Sequence, residues 1–172
     1  IEAKNIFNIS YNNIEILIHP KSYIHAIIKF NNGLIKIIAH DTTMKIPIFN
    51  TLFYNSKKKM ISKKINIKFL NTLQLNKVEK KRFPMVKLLD HLPKKNSLFE
   101  TVIVSANDML VELFLKNKIK FTDIYKNLLK LIKNKEIEKY KKIYPKNITD
   151  IIKLHNYVRL KIHKKVYKTL DI

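Results

Sequence analysis

Cysteine is missing from the 172 residues. That excludes a disulfide framework, a thiolate zinc site and a cysteine nucleophile. Glycine occurs once, as Gly33. Phosphate cradles need glycines where the backbone must approach the anion closely, so neither a dinucleotide fingerprint nor a Walker loop is present. No apolar run approaches the roughly 20 residues that span a bilayer. No HExxH pair occurs among the six histidines, His19, His25, His40, His91, His155 and His163, which removes the zinc-protease class. The start, Ile1-Glu2-Ala3-Lys4, has no initiator Met and no charged-then-apolar leader pattern. It reads as an interior point of a longer chain.

Acidic residues are also scarce, 13 against 35 Lys and Arg, for a net charge of +22. Taken alone, this suggests nucleic acid or an anionic surface as partner. The composition offers another cause. Lys, Asn and Ile dominate, and their codons can be built almost wholly from A and T. Arg82 and Arg159 are the only arginines, whereas nucleic-acid readers favour Arg for its planar fork. A solvated Lys surface shaped by an AT-rich genome is the preferred reading. The apolar fraction is 46%, enough for a packed core.

The fold class expected is α+β. Ala3, Ile6 and Phe7 look like the tail of a helix. Ile14–Ile18 is β-branched and reads as a strand ended by His19-Pro20. His25–Phe30 and Leu34–Ala39 are two more strands. Asn31-Asn32-Gly33 between them places the single glycine where a tight hairpin needs positive φ. Pro47–Phe53 suits a short helix with Pro early in it. Lys57–Lys64 is a charge run, and Ile65–Phe69 alternates like an isolated strand. From Phe83 onward the spacing is helical. Val86, Leu88, Leu89 and Leu92 suit one short helix, and Ser97-Leu98-Phe99-Glu100 has capping-box spacing. Met109, Leu110, Leu113 and Phe114 share the face of a second helix. Thr122-Asp123 is expected to cap a third, with Ile124, Leu128, Leu129 and Ile132 inward. Thr149-Asp150 is expected to cap the last, with Ile151, Ile152, His155, Val158, Ile162 and Val166 inward. The sequon Asn147-Ile148-Thr149 reads as part of that cap. The expected organisation is a partial catalytic domain with a β-hairpin over residues 1–53, a linker over 54–81 and a helical bundle over 82–172.

A lone histidine is usually structural. That reading is preferred for His19 and His25 as well; the alternative is that the strand connection they bracket, His-Pro-Lys-Ser-Tyr-Ile-His, lies at the edge of an active site, where loops gather. His91 and His155 fall within helices and read as packing or surface residues. No compact Ser/His/Asp set is visible.

The run Ile1-Glu2-Ala3-Lys4-Asn5-Ile6-Phe7-Asn8, then Ile14-Glu15-Ile16-Leu17-Ile18-His19-Pro20-Lys21-Ser22-Tyr23-Ile24-His25, resembles the 1-deoxy-D-xylulose 5-phosphate reductoisomerase family. That family carries IEA…LFN…EV(L/V)(I/V)HPQSxIH. Asp41–Ile48 resembles its PDMRxPI segment, Arg82–Leu88 its R(Y/F)PCLKLA, Val104–Asp108 its NAANE and Phe114–Ile124 its FLxxxIxFxDI. The segments follow the family order to about Ile132, after which only a helical pattern continues.

The resemblance implies a V-shaped homodimeric enzyme with an NADPH domain, a catalytic domain and a C-terminal helical domain. It would rearrange and reduce a phosphorylated sugar, 1-deoxy-D-xylulose 5-phosphate, to 2-C-methyl-D-erythritol 4-phosphate in non-mevalonate isoprenoid synthesis. NADPH and a divalent metal, Mg or Mn, would be bound mainly by residues upstream, the last metal-ligating Glu falling just before Ile1. His25 matches a histidine beside the substrate, Ser22 the wall of the site, and Met44 a methionine near the nicotinamide. Glu2 is one helical turn past the expected metal ligand and could support it indirectly. Partners would be the rest of the enzyme, a second copy and the sugar phosphate, with no nucleic acid and no membrane. The Lys- and Asn-rich drift looks apicomplexan, implying a plastid-like organelle, the apicoplast. Departures from the family pattern fall at Thr42 and Thr43 (for Pro and Asp) and at Val104 and Asp108 (for Asn and Glu). The alternative class is a basic RNA-binding or organellar ribosomal protein, resting on the charge and on Lys153, Lys161, Lys164, Lys165 and Lys168 of the last helix. Against it, the aromatics mostly occupy apolar, core-like positions, where RNA readers expose them for stacking.

Overall fold

A computed structural model describes residues 1–64 and 66–168. The chain forms two compact units, Ile16–Val78 on one hand and Ile1–Glu15 with Glu79–Ile172 on the other. These bounds differ from the expected ones. Residues 1–15 belong with the helices, because Lys4 and Tyr11 are hydrogen-bonded to Glu100. Residues 54–78 are not a free linker, because their end pairs back onto the start of the same unit.

In the unit Ile16–Val78, β1 (Leu17–Ile18) pairs antiparallel with β4 (Asn76–Lys77). The strand expected over Ile14–Ile18 is thus cut to two residues. Its beginning is drawn into a 3-10 turn, where Ile14 N–H donates to the Tyr11 carbonyl at 3.1 Å. Strands β2 (Ile24–Lys29) and β3 (Ile35–Ala39) form the expected hairpin. Gly33 closes it with φ +87°, its N–H donating to the Phe30 carbonyl at 3.0 Å. A Cβ there would meet nothing within 4 Å. Gly33→Ala should therefore cost backbone strain alone, about 1 kcal/mol, read as a lower urea midpoint. Helix α2 (Lys45–Leu52) carries Pro47 in its first turn, as expected. Where an isolated strand was expected, α3 (Ile67–Leu70) is helical, with Asn71 N–H donating to the Ile67 carbonyl at 3.0 Å. A short alternating run does not separate the two states. Ile65 lies outside the described residues.

The other unit opens with α1 (Glu2–Phe7). Pro84–His91 is a 3-10 helix rather than an α-helix, burying only Leu88. Then come α4 (Leu98–Leu115), α5 (Phe121–Ile132), α6 (Lys135–Glu138) and α7 (Ile148–Lys168). The capping box of α4 is formed as read: Ser97 Oγ accepts from Phe99 N–H at 3.2 Å, and Glu100 Oε2 from Ser97 N–H at 3.2 Å. Two expected caps shift. Helix α5 starts one residue before Thr122, with Asp123 reaching back to Lys120 N–H at 3.0 Å. Helix α7 is capped by Asn147, whose Oδ1 accepts from Asp150 N–H at 2.9 Å. The core runs along α4 through Phe99, Val102, Ala106 and Leu110, and meets Leu128, Ile137 and Val158. On α7 the inward stripe is Leu154, Val158, Ile162 and Val166, while Ile151 and Ile152 face outward. An i, i+4, i+8 stripe starts equally well from either neighbouring residue, and α4 selects Leu154.

Carboxylates tie α7 to its neighbours. Glu112 accepts from Lys116 at 2.6 Å and from Arg159. Glu136 accepts from Lys161 and from Tyr157 at 2.5 Å. Both stay ionised below the usual carboxylate range, Glu112 first through Lys116 and then Arg159, Glu136 first through Lys161 and then Tyr157. A depressed folded value contributes stability above the unfolded value, about pH 4.3, that is lost as pH falls through the folded one. The melting temperature of the wild type should accordingly fall toward that of Glu112→Gln/Glu136→Gln as pH drops from about 5 to about 3. Parallel melting curves across that range would contradict this.

Candidate functional site

The hairpin register places His25 out of the ladder. Ile24 pairs with Ala39 and Ala26 with Ile38, so His25 is the extra residue of a β-bulge. Bulges re-aim a side chain, and here the His25 ring lies on His40, with centroids 3.7 Å apart and planes 13° from parallel. His25 Nε2 stands 3.2 Å from the His40 carbonyl, and His40 Nδ1 stands 2.7 Å from the Asp41 carbonyl. A carbonyl only accepts, so each of those nitrogens carries the proton. The opposite nitrogens, His25 Nδ1 and His40 Nε2, are left as lone-pair acceptors in the neutral rings.

Ser22 holds a left-handed backbone, φ +49°, and its N–H donates to the His19 carbonyl at 2.9 Å. A non-glycine residue there is strained, and such strain collects at functional sites. His19 Nδ1 donates to the Gln74 carbonyl at 2.9 Å, while its Nε2 is buried without a partner among the described residues. Met44 precedes α2 and is 69% exposed. Thr42 and Thr43 form the turn before it, with Thr43 N–H donating to the Asp41 carbonyl at 2.6 Å.

An open groove of about 930 Å³ runs alongside. Tyr23, His40, Thr42 and Asn50 line it together with lysines from the 58–64 run. His40 links it to His25, whereas Ser22, His25 and Met44 flank the lining without forming it. Glu2 falls in the other compact unit, exposed in the first turn of α1. Val104 and Asp108 are exposed on α4. Among the described residues no three His, Asp or Glu side chains group to hold a metal ion.

The sequence reading passed over His40. Counting outward from the Gly33 turn puts residues 25 and 39 opposite one another, which would have drawn attention to His40 beside them. It also passed over the contact of Ser105 Oγ with His155 Nδ1, at 3.0 Å, that joins α4 to α7. The aromatics are a correction to that reading. Phe7, Tyr54, Phe121 and Tyr144 are each more than two thirds exposed. Exposed rings no longer argue against RNA, but Lys161, one of the lysines in its favour, is engaged by Glu136. The side chain of Lys168 lies outside the described residues.

Residues 41–161 match the model of the DXP reductoisomerase C-terminal domain family. The chain belongs to that family. The match runs well past Ile132, where the recognisable motifs stopped. The 1-deoxy-D-xylulose 5-phosphate reductoisomerase of Pelagibacter ubique (strain HTCC1062) is 57% identical over 162 residues, 94% of this chain and 42% of its own length. The same enzyme of Sulfurihydrogenibium sp. (strain YO3AOP1) is 34% identical over 81% of this chain and 37% of its own length. The chain thus spans about two fifths of these relatives. Among solved structures, the reductoisomerase of Zymomonas mobilis in complex with NADPH superposes with a TM-score of 0.75 at 25% identity, over 96% of this chain and 42% of that one. A reductoisomerase in complex with NADPH, fosmidomycin and magnesium superposes at 0.83 and 23%, over the same shares. The α+β class expected from the sequence is the class of this family.

Proposed function

We propose that this chain is the C-terminal part of an NADPH-dependent 1-deoxy-D-xylulose 5-phosphate reductoisomerase, which makes 2-C-methyl-D-erythritol 4-phosphate for isoprenoid synthesis. The observation that carries this is 57% identity sustained over 94% of the chain. In this reading His25 stands beside the sugar phosphate, Ser22 shapes the wall and Met44 packs near the nicotinamide. The left-handed Ser22 and the bulge at His25 support it, since both aim side chains in ways a plain hairpin does not. Glu2 supports a metal ligand carried by the rest of the enzyme. NADPH and a divalent ion such as Mg or Mn would be held there as well. The ion would polarise the substrate's oxygens, and no step of that chemistry is assigned to the residues described. The working enzyme is a homodimer in this proposal. A plastid-like location rests on composition alone, and an AT-rich bacterial genome gives the same composition.

The full-length protein should oxidise NADPH only when both the sugar phosphate and a divalent ion are present, followed by absorbance. The 172 residues alone should neither turn over nor bind NADPH by calorimetry. Micromolar binding by the fragment would contradict this reading. Steeply salt-dependent RNA binding with no NADPH oxidation would favour the RNA alternative.

A further inference from the structure

A buried polar cluster lies in the helical unit, away from the residues discussed so far. Lys4 and Glu100 are 6% and 5% exposed, with Lys4 Nζ 3.1 Å from Glu100 Oε1. Tyr11 donates its hydroxyl to the same oxygen at 2.9 Å, and Lys4 also donates to Asn96 Oδ1. The Lys4 ammonium sits 4.9 Å from the Tyr11 ring centroid. Glu100 Oε2 meanwhile caps α4. One carboxylate therefore closes a helix and grips two residues about 90 positions away in the chain. The Tyr11 hydroxyl is held above the usual phenol range, by burial first and then by its bond to Glu100 and the charge there. It remains a neutral donor.

The segment these contacts hold makes little use of apolar packing. Ile1 packs on the core, but Ile6 and Phe7 are 67% and 69% exposed. A buried ion pair adds little net stability compared with an apolar pair, whereas its best-attested use is to fix register. A helix held by apolar contacts can slide or rotate with small loss. A segment held by two directional bonds to one carboxylate, and by a third to Asn96, cannot.

We propose that Glu100 is a positioning residue of the reductoisomerase: by holding Lys4 and Tyr11 it sets the register at which the chain arriving at Ile1 meets the helical unit, and turnover depends on that register. This rests on the functional reading above.

The test uses full-length enzyme carrying Glu100→Gln and, separately, Lys4→Met/Glu100→Gln. The single carbonyl oxygen of glutamine still accepts from Ser97 N–H, so α4 keeps its cap, while its NH2 can accept from neither Lys4 nor Tyr11. The single variant leaves a buried, unpaired ammonium, and both its melting temperature and its kcat should fall, kcat by about tenfold. The double variant removes that ammonium, so its melting temperature should recover. Its kcat should stay about tenfold low, with KM for both substrates within about twofold. Recovery of kcat together with melting temperature would show a merely structural role and overturn the proposal, as would a wild-type kcat in Glu100→Gln. Hydrogen exchange of amides 2–14 gives a readout independent of turnover. Faster exchange in the double variant supports the register claim, and unchanged exchange overturns it. If wild-type enzyme makes no product, the functional reading fails, and the exchange result alone decides the clamp.

Discussion

Phe99→Ala is expected to remove about 3–5 kcal/mol from the stability of the helical unit. Phe99 is fully buried one residue into α4, its N–H is bound to Ser97 Oγ, and the Lys141 ammonium lies 5.1 Å from its ring centroid. Truncation removes the ring from the place where the cap and the core meet. The neighbouring side chains stand on separate helices, so they can close the cavity only in part. A domain's whole stability is typically about 5–15 kcal/mol, so this one change should unfold a large fraction of the molecules under mild denaturant. Urea unfolding followed by far-ultraviolet circular dichroism reads it directly. Leu115→Ala, at a position 71% exposed on the same helix, is the control and should stay within about 0.5 kcal/mol. A loss below about 1 kcal/mol for Phe99→Ala would mean that the core is not packed as described.

His25→Ala in the full-length enzyme is expected to lower turnover by at least about tenfold, the lower end of what a positioned proton-handling group contributes. The fold should survive, because His25 is exposed on a two-stranded hairpin whose register is set elsewhere, at the Gly33 turn. Two functions are combined in the ring: it stacks on His40, and its Nε2 donates to the His40 carbonyl. His25→Phe separates them, since phenylalanine retains the stack and loses both nitrogens. It should be as slow as alanine if the imidazole acts through its nitrogens. Wild-type kinetics in His25→Ala, with an unchanged melting temperature, would remove His25 from the active site.

The features legible in the sequence were those fixed by a few neighbouring residues. The Asn-Asn-Gly turn needs positive φ at one place, and the capping box of α4 needs four consecutive residues. Both formed as read. What escaped was set by contacts distant in sequence. The β1–β4 pairing joins residues some sixty positions apart through two residues on each side, too short to leave a pattern. The inward face of α7 was read from its first apolar residues, and α4 selects a face that begins at Leu154. A motif singles out His25 and Ser22 as candidates, but it does not show the bulge that turns His25 onto His40. A bulge is one residue of register, and composition does not record it. The clamp on Glu100 was likewise invisible, because a capping glutamate looks complete in sequence once its helix end is satisfied.

The hairpin has a practical consequence. Ile27, Ile28, Ile35, Ile37 and Ile38 are each between 40% and 57% exposed along β2 and β3. A β-ribbon with apolar side chains and an open edge is a template for sticking to its own kind. In the isolated chain the opposing force is mutual repulsion from a net charge of +22. Salt shortens the reach of that repulsion to about 8 Å at physiological strength and leaves the isoleucines as they were. Purification of the 172-residue chain therefore calls for dilute, low-salt buffer, and adding salt, the usual remedy for a sticky basic protein, should cloud the solution.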